Sequence, residues 1–222
     1  MTDAWSIPVG DASTSAAYEP ATTPGETGLV VFAHGAGGNM LDRGVLASAN
    51  ALRANGLGVV RFNFLYKERK SGRPDPMPRL METFAAVADD VRERLKPARL
   101  IIGGRSMGGR AASMLAADGY RADGLLLLAY PLHPPGKPEK IRDAHLPHIT
   151  MPVLCFSGTR DEFCTRALME KAVASVTAPW DMRWIEGADH SFHVLKSSGR
   201  TDRDVMDEIG AVAGRWATTL LE

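Results

Sequence analysis

Five residues in the middle of the chain, 104–108, read Gly-Arg-Ser-Met-Gly. An apolar stretch precedes them and a helix-like stretch follows, which is the context in which a serine serves as a nucleophile on a sharp, strained turn. Gly104 and Gly108 leave room for such a backbone. The simpler alternative is a glycine-rich turn that carries a surface serine. The strand-turn-helix context favours the first interpretation, and we predict that Ser106 is a nucleophile.

A serine hydroxyl is a weak nucleophile at neutral pH, so it needs a histidine base that a carboxylate orients. On such a strand-turn-helix corner the carboxylate and then the histidine follow the serine in chain order. Asp161 follows a later apolar stretch, with Glu162 beside it as a competitor. His190 comes after the next stretch, and His193 is the alternative base. We therefore predict a triad of Ser106, Asp161 and His190.

Attack of a serine on an acyl group creates an oxyanion, which needs backbone N–H donors held in place beforehand. Met107 follows the serine at the start of a predicted helix, so its N–H is the expected first donor. The second donor is expected from the glycine-rich loop 34–40. We assign it to Ala36, with Gly35 and Gly37 as neighbours that could take its place.

Several loop side chains are candidates for lining a substrate pocket, although each aromatic one could equally belong to the core. Arg105 and Arg110 flank the serine and could bind a substrate carboxylate or form structural salt bridges. The predicted pocket residues are Asn63, Phe64, Tyr130 and Phe192, with Tyr66, His133 and Met107 as further candidates.

The secondary structure must position these residues. Short apolar runs alternate with longer amphipathic ones along the chain, a pattern that is typical of a parallel sheet covered by helices. Two helices are predicted, one at 40–56 that ends at Gly56 and one at 78–96 that Pro97 terminates. The segment 131–152 contains six prolines and is predicted to be a loop over the carboxyl edge of the sheet. At least six strands are expected, at 28–34, 57–64, 99–104, 124–130, 152–158 and 181–187.

The composition limits the classes of molecule that the protein is expected to bind and the compartment in which it is expected to work. The 222 residues include 26 basic and 26 acidic side chains, so the field that would attract nucleic acid or an anionic membrane is absent and a small molecule is the expected partner. Two cysteines are too few for a disulfide framework or a four-ligand zinc site, which favours the cytoplasm. No signal peptide or apolar stretch of membrane-spanning length is evident. The sequence leaves a homodimer open.

Nucleotide-binding and metal-binding sites fit the sequence less well, so we predict no cofactor and no metal. Loop 34–40 has Met40 where a dinucleotide-binding fingerprint requires glycine or alanine, and neither glycine-rich turn continues into the Lys-Ser/Thr of a P-loop. The pair His145 and His148 is interrupted by Pro147. The second spaced pair, at 190 and 193, lacks a full set of metal ligands.

With these motifs in place, the chain resembles the α/β-hydrolase superfamily. It resembles most closely the short, cap-free branch that contains bacterial dienelactone-hydrolase-like esterases and the hydrolase-like subunit of the animal NSL acetyltransferase complex. The matching segments are FAHGAGGNM, VVRFNF, GGRSMGGR, AYPLHPPGKPEKIRDAHLP, FSGTRDEF and IEGADHSF, within about residues 28–193. The chain departs from the pattern at Leu65, where such relatives would be expected to have proline.

The resemblance implies a single α/β-hydrolase domain over residues 1–222, with a mostly parallel sheet, helices on both faces and no large cap. It also implies the same triad, Ser106, Asp161 and His190. The expected reaction is hydrolysis of a small carboxylic ester through an acyl-serine, without metal or organic cofactor. The alternatives are a thioesterase, a dienelactone-type hydrolase, or a catalytically silent interaction module on the same fold.

Overall fold

The computed structural model describes residues 3–220, in which eight strands form one sheet. The strands are β1 (Asp3–Val9), β2 (Ala12–Glu19), β3 (Gly28–Ala33), β4 (Leu57–Phe62), β5 (Leu100–Arg105), β6 (Gly124–Leu128), β7 (Val153–Gly158) and β8 (Trp180–Ile185). The helices are α1 (Arg43–Arg53), α2 (Leu65–Glu68), α3 (Met77–Leu95), α4 (Met107–Ala117), α5 (Arg166–Val173) and α6 (Asp202–Thr219). Within residues 3–220, no helix is both long and apolar enough to cross a membrane.

The sheet is mostly parallel and has the order β1-β2-β4-β3-β5-β6-β7-β8. Only the pairs β1–β2 and β2–β4 are antiparallel. All six predicted strands are present, with ends shifted by one or two residues. The two N-terminal strands were missed because an antiparallel edge is buried on one face only: in β1, Ile7 and Val9 are buried while their neighbours Ser6 and Pro8 are exposed.

Alternate residues of the central strands pack against helices on opposite faces of the sheet. In β3, Leu29 and Val31 join the core beneath α3, α4 and α5. Val30 and Phe32 join the core beneath α1 and α6. Burial on both faces explains why these strands read as continuous apolar runs in the sequence.

The carboxyl ends of the parallel strands bring four loops to one edge of the sheet. β3 and β5 are neighbours, and β6 separates β5 from the neighbouring pair β7 and β8. The loops after β3, β5, β7 and β8 therefore meet at this edge, where open α/β sheets bind their ligands. Among residues 3–220, no insertion builds a cap domain over it.

The proline-rich segment 131–152 folds back onto the sheet and α4. Tyr130 Oη donates a hydrogen bond to the carbonyl of Arg142 (2.8 Å), and His145 Nε2 lies 2.8 Å from Ser113 Oγ on α4. Leu146, which follows His145, is fully buried. Burial, reinforced by the nearby Arg110 cation, lowers the pKa of His145 from 6.5 to about 4.

His145 should therefore make the folded protein sensitive to acid. A histidine whose folded-state pKa is depressed binds its proton more readily in the unfolded chain, so stability is lost as the pH falls from about 6.5 towards about 4. We expect His145→Gln to reduce the fall in unfolding free energy between about pH 7 and pH 4.5, measured by urea denaturation. The exposed His148 of the same segment is the control, and an equal effect of His148→Gln would contradict the assignment.

Candidate active site

Ser106 occupies a strained corner between β5 and α4. Its backbone has φ 49° and ψ −118°, a conformation that is rare for residues other than glycine. A Cβ added at Gly104 would lie 2.5 Å from the carbonyl oxygen of Ala33, and one at Gly108 would lie 2.6 Å from that of His34. Both glycines are required because the corner packs directly against the end of β3.

A hydrogen-bonded chain links this serine to a histidine and a carboxylate. His190 Nε2 lies 2.9 Å from Ser106 Oγ, and His190 Nδ1 lies 2.9 Å from both carboxylate oxygens of Asp161. The Asp161 carboxylate has no accessible surface, whereas the imidazole is 24% exposed. Because a carboxylate accepts, Nδ1 carries the proton and Nε2 is left to accept the serine proton. The structure thus brings the three predicted residues into contact in the predicted order.

The Asp161 carboxylate is oriented by its own loop and strand. Its Oδ1 accepts a hydrogen bond from the backbone N–H of Phe163 (2.8 Å), and its Oδ2 accepts one from Ser157 Oγ (3.3 Å). The Phe163 ring also stacks on the His190 imidazole, with centroids 4.2 Å apart. Sequence reasoning assigned no role to either supporting residue, although both lie in the segment FSGTRDEF. The competitor Glu162 points to solvent and makes no contact with the histidine.

The alternative base, His193, faces away from the serine. Its Nδ1 lies 3.0 Å from both carboxylate oxygens of Asp202 at the start of α6, and both side chains are more than half exposed. The hydrogen bond from His193 is the main cause that holds the pKa of Asp202 below its ordinary value. Asp189 accepts the backbone N–H of His193 and thereby shapes the loop between the two histidines.

The two predicted oxyanion donors border the serine from different loops. Met107 is the first residue of α4, so its N–H has no acceptor within the helix. A Cβ added at Gly35 would lie 3.6 Å from the Cβ of Ser106, which places the loop after β3 directly beside the nucleophile. Ala36 is the next residue of that loop and is exposed to the cleft. The geometry fits the assignment and leaves Gly35 and Gly37 as close neighbours.

His34 secures this loop from below, a role that sequence reasoning did not identify. It is fully buried, with Nδ1 2.8 Å from the carbonyl oxygen of Gly35 and Nε2 3.1 Å from the backbone nitrogen of Phe64. Nδ1 must donate and Nε2 must accept, so the ring is neutral. Burial lowers the pKa of His34 and stabilises that form. The signal in the sequence was a histidine that directly precedes the glycine-rich loop.

A cleft of about 1190 Å³ opens beside the serine, and we call it the Ser106 cleft. It runs between the loop after β3, the start of α1, the loop after β8 and α6. Residues that line its inner part are Ala36, Gly44, Arg105, Ser106, His190 and Phe192. Of the four predicted pocket residues, only Phe192 borders the cleft, and its side chain is itself buried in the core beneath α1 and α6.

The other three pocket predictions are corrected by the structure. Phe64 and Tyr130 are fully buried in the core, because their rings fill space between the sheet and the helices of the α3–α4 face. Asn63 lies outside the cleft and joins two loops, accepting the N–H of Met40 and donating to Glu68. Tyr66 and His133, the further candidates, are also buried.

Between residues 3 and 220, no group of three or more histidine, cysteine, aspartate or glutamate side chains could hold an ion.

Comparison with known proteins agrees with the architecture. Residues 26–218 match the family model of the "Alpha/beta hydrolase domain". A serine hydrolase homologue from Coxiella burnetii superposes with a TM-score of 0.74 at 21% identity, covering 93% of this chain and 96% of that one. A dienelactone hydrolase from Anabaena variabilis gives 0.75 at 20% identity, covering 97% and 96%. A lidless α/β serine hydrolase from Xanthomonas campestris gives 0.74 at 21%, covering 97% and 94%.

Proposed function

The chain belongs to the α/β-hydrolase domain family, and we propose that it is a serine hydrolase that cleaves small carboxylic esters through an acyl-serine intermediate. The observation that carries the proposal is the unbroken hydrogen-bonded chain from Ser106 through His190 to the buried Asp161. Ser106 and His190 line a cleft that is large enough for a small molecule. Two buried free thiols, Cys155 and Cys164, fit a reducing compartment such as the cytoplasm.

In the first half of the proposed reaction, His190 Nε2 takes the proton of Ser106 Oγ while Oγ attacks the ester carbonyl. The backbone N–H groups of Met107 and Ala36 receive the oxyanion. The charged imidazolium is stabilised by Asp161, and it then gives its proton to the departing alcohol. In the second half, a water activated by the same imidazole releases the acid and restores the serine.

The same chemistry would open a thioester or a lactone, and the Anabaena neighbour is named a dienelactone hydrolase. A thioester differs from a simple ester in that a thiol departs, and a lactone differs in that the released alcohol stays attached to the acyl group. A catalytically silent module would have no use for a strained serine in contact with a histidine base, because strain of this kind costs about 1–3 kcal/mol. The geometry of the corner therefore favours an enzyme.

Labelling by a fluorophosphonate probe tests the proposal directly. We expect one covalent adduct per molecule, located at Ser106 by peptide mass mapping, and parallel loss of turnover of p-nitrophenyl esters. Excess chelator should leave that turnover unchanged, because the proposed reaction uses no metal. A folded protein that neither reacts with the probe nor hydrolyses any ester of the series would overturn the proposal.

Asp161→Asn should lower kcat/KM for ester hydrolysis by about 10⁴. An amide in place of the buried carboxylate favours the wrong histidine tautomer and removes the charge that stabilises the imidazolium. The neighbouring Glu162→Gln changes charge in the same way on an exposed side chain and is expected to stay near wild type. The two variants are compared by steady-state kinetics under one condition, and the reverse order of effects would transfer the role to Glu162.

A further inference from the structure

The side chain of Arg105, the last residue of β5, packs between α1 and the loop after β8 within the Ser106 cleft. The guanidinium packs so closely on α1 that a Cβ added at Gly44 would lie 3.3 Å from its Cζ. The ring of Phe192 covers the guanidinium from the other side, with Cζ 5.3 Å from the ring centroid. Phe192 itself has φ 62°, so strained backbone holds this ring in place.

Among residues 3–220, only one nitrogen of the guanidinium donates a hydrogen bond to the protein. Nη1 makes two long hydrogen bonds of 3.4 Å, to the carbonyl oxygen of Gly44 and to Ser48 Oγ. Nε and Nη2 of Arg105 donate to no atom among residues 3–220. These two groups form one edge of the guanidinium fork, the geometry that binds both oxygens of a carboxylate.

The charge of Arg105 also lacks an ion-pair partner within the described residues. Asp161 and Asp189 favour its charged form from a distance, but neither lies within 4.0 Å of it. Asp161 is bonded to His190, and Asp189 accepts backbone N–H groups of its own loop. Burial lowers the pKa of the guanidinium, which shows the cost of holding this cation out of water.

The other charged residues of the Ser106 cleft are exposed or have partners, and among residues 3–220 Arg43 at the start of α1 is an exposed cation that makes no ion pair. Arg203 and Asp207 form an exposed pair on α6 (3.8 Å), and Asp202 is bonded to His193. Asp42 accepts a backbone N–H from the loop after β3. Among residues 3–220, Arg105 is therefore a half-buried cation of the Ser106 cleft that makes no ion pair, whereas Arg43 is exposed to water. Arginine side chains that are withdrawn from water are usually paired with an anion.

We propose that Arg105 binds a carboxylate carried by the substrate, so that the ester cleaved at Ser106 is an anionic one. This inference rests on the proposed function, because it names the substrate class of that same serine. Arg105 and Ser106 are consecutive residues that line one cleft, so one substrate molecule can contact both side chains. Arg105 is thus a specificity-determining residue and takes no part in bond breaking.

Matched pairs of esters test the proposal on the wild-type protein. The mono-4-nitrophenyl ester of adipic acid and 4-nitrophenyl hexanoate share a six-carbon acyl chain and differ in the terminal carboxylate. The pair 4-acetoxybenzoate and its methyl ester places the same difference on the leaving group. In at least one pair we expect kcat/KM to be about tenfold or more higher for the charged member, mainly through a lower KM.

Two arginine variants then assign the preference. Arg105→Gln should reduce the charged-to-neutral ratio of kcat/KM about tenfold or more, because it removes the fork and its charge. The ratio is unaffected by the fraction of folded enzyme. Arg110→Gln is the matched control: Arg110 flanks the same serine but does not line the Ser106 cleft, so the ratio should not change.

The outcomes separate this inference from the proposed function. Hydrolysis of neutral and charged members at equal kcat/KM in both pairs would overturn the carboxylate assignment and leave the serine hydrolase intact. A preference that survives in Arg105→Gln would also overturn it, because the anion would then bind elsewhere. Failure to hydrolyse every ester, together with no labelling of Ser106, would overturn both.

Discussion

Ser106→Ala is expected to lower kcat for ester hydrolysis by about 10⁴ to 10⁶ while the protein remains folded. The substitution removes only Oγ, the atom that lies 2.9 Å from His190 Nε2. The backbone hydrogen bond from Ser106 N–H to the carbonyl of Leu128 does not depend on the side chain. Alanine also imposes no greater steric demand than serine at this strained corner.

The measurement is turnover of a p-nitrophenyl ester, with thermal unfolding recorded on the same samples. Ser191→Ala is the control, because Ser191 is an exposed serine next to the base and its hydroxyl contacts neither Ser106 nor Asp161. We expect that variant to behave like the wild type. A folded Ser106→Ala protein that kept most of its turnover would show that another group attacks the ester.

His190→Ala should cost about as much as loss of the serine, on the order of 10⁶ in kcat, because members of such a triad act as a unit. Among residues 3–220, the imidazole is the one hydrogen-bond partner of Oγ, so its removal leaves no base there to take the proton. His193→Ala is the internal control three residues along the chain. It removes the hydrogen bond with Asp202 at the protein surface and should leave turnover close to wild type.

The pH dependence gives a second readout for the same pair of variants. Only neutral His190 accepts the serine proton, so kcat/KM of the wild type should rise with pH along an acidic limb. The His193→Ala enzyme should keep that limb. If His193→Ala abolished turnover and the limb while His190→Ala kept both, the loop after β8 would have to present its second histidine to the serine.

The pocket predictions show that residue type alone does not determine whether a side chain contacts a ligand. Phe64 and Tyr130 sit in loops next to the site along the chain, and an aromatic ring there can either meet ligand or fill the core. Both rings are buried. Whether such a ring contacts a ligand or fills the core depends on the helices of the α3–α4 face and on the segment 131–152. No local pattern encodes those contacts. Phe192 borders the cleft and has a backbone φ of 62°, although its side chain is buried as well.

The competition between Asp161 and Glu162 was resolved by placement in three dimensions. Both follow β7 and both carry the required carboxylate. Ser157 and the backbone N–H of Phe163 hold the first carboxylate inward, whereas the second points to solvent. Chain order favoured Asp161, and the hydrogen bonds that hold its carboxylate come from neighbours to which the sequence assigned no role.

The sequence by itself determined the elements whose physics is local. Strands buried on both faces appear as apolar runs, and a serine corner between strand and helix requires glycine at 104 and 108, so the central sheet and Ser106 could be predicted. Tertiary structure alone decided the features that depend on packing between distant segments. The edge strand β1 is buried on one face only, and the Arg105 side chain is enclosed by α1 and the loop after β8, an arrangement that neither segment reveals alone.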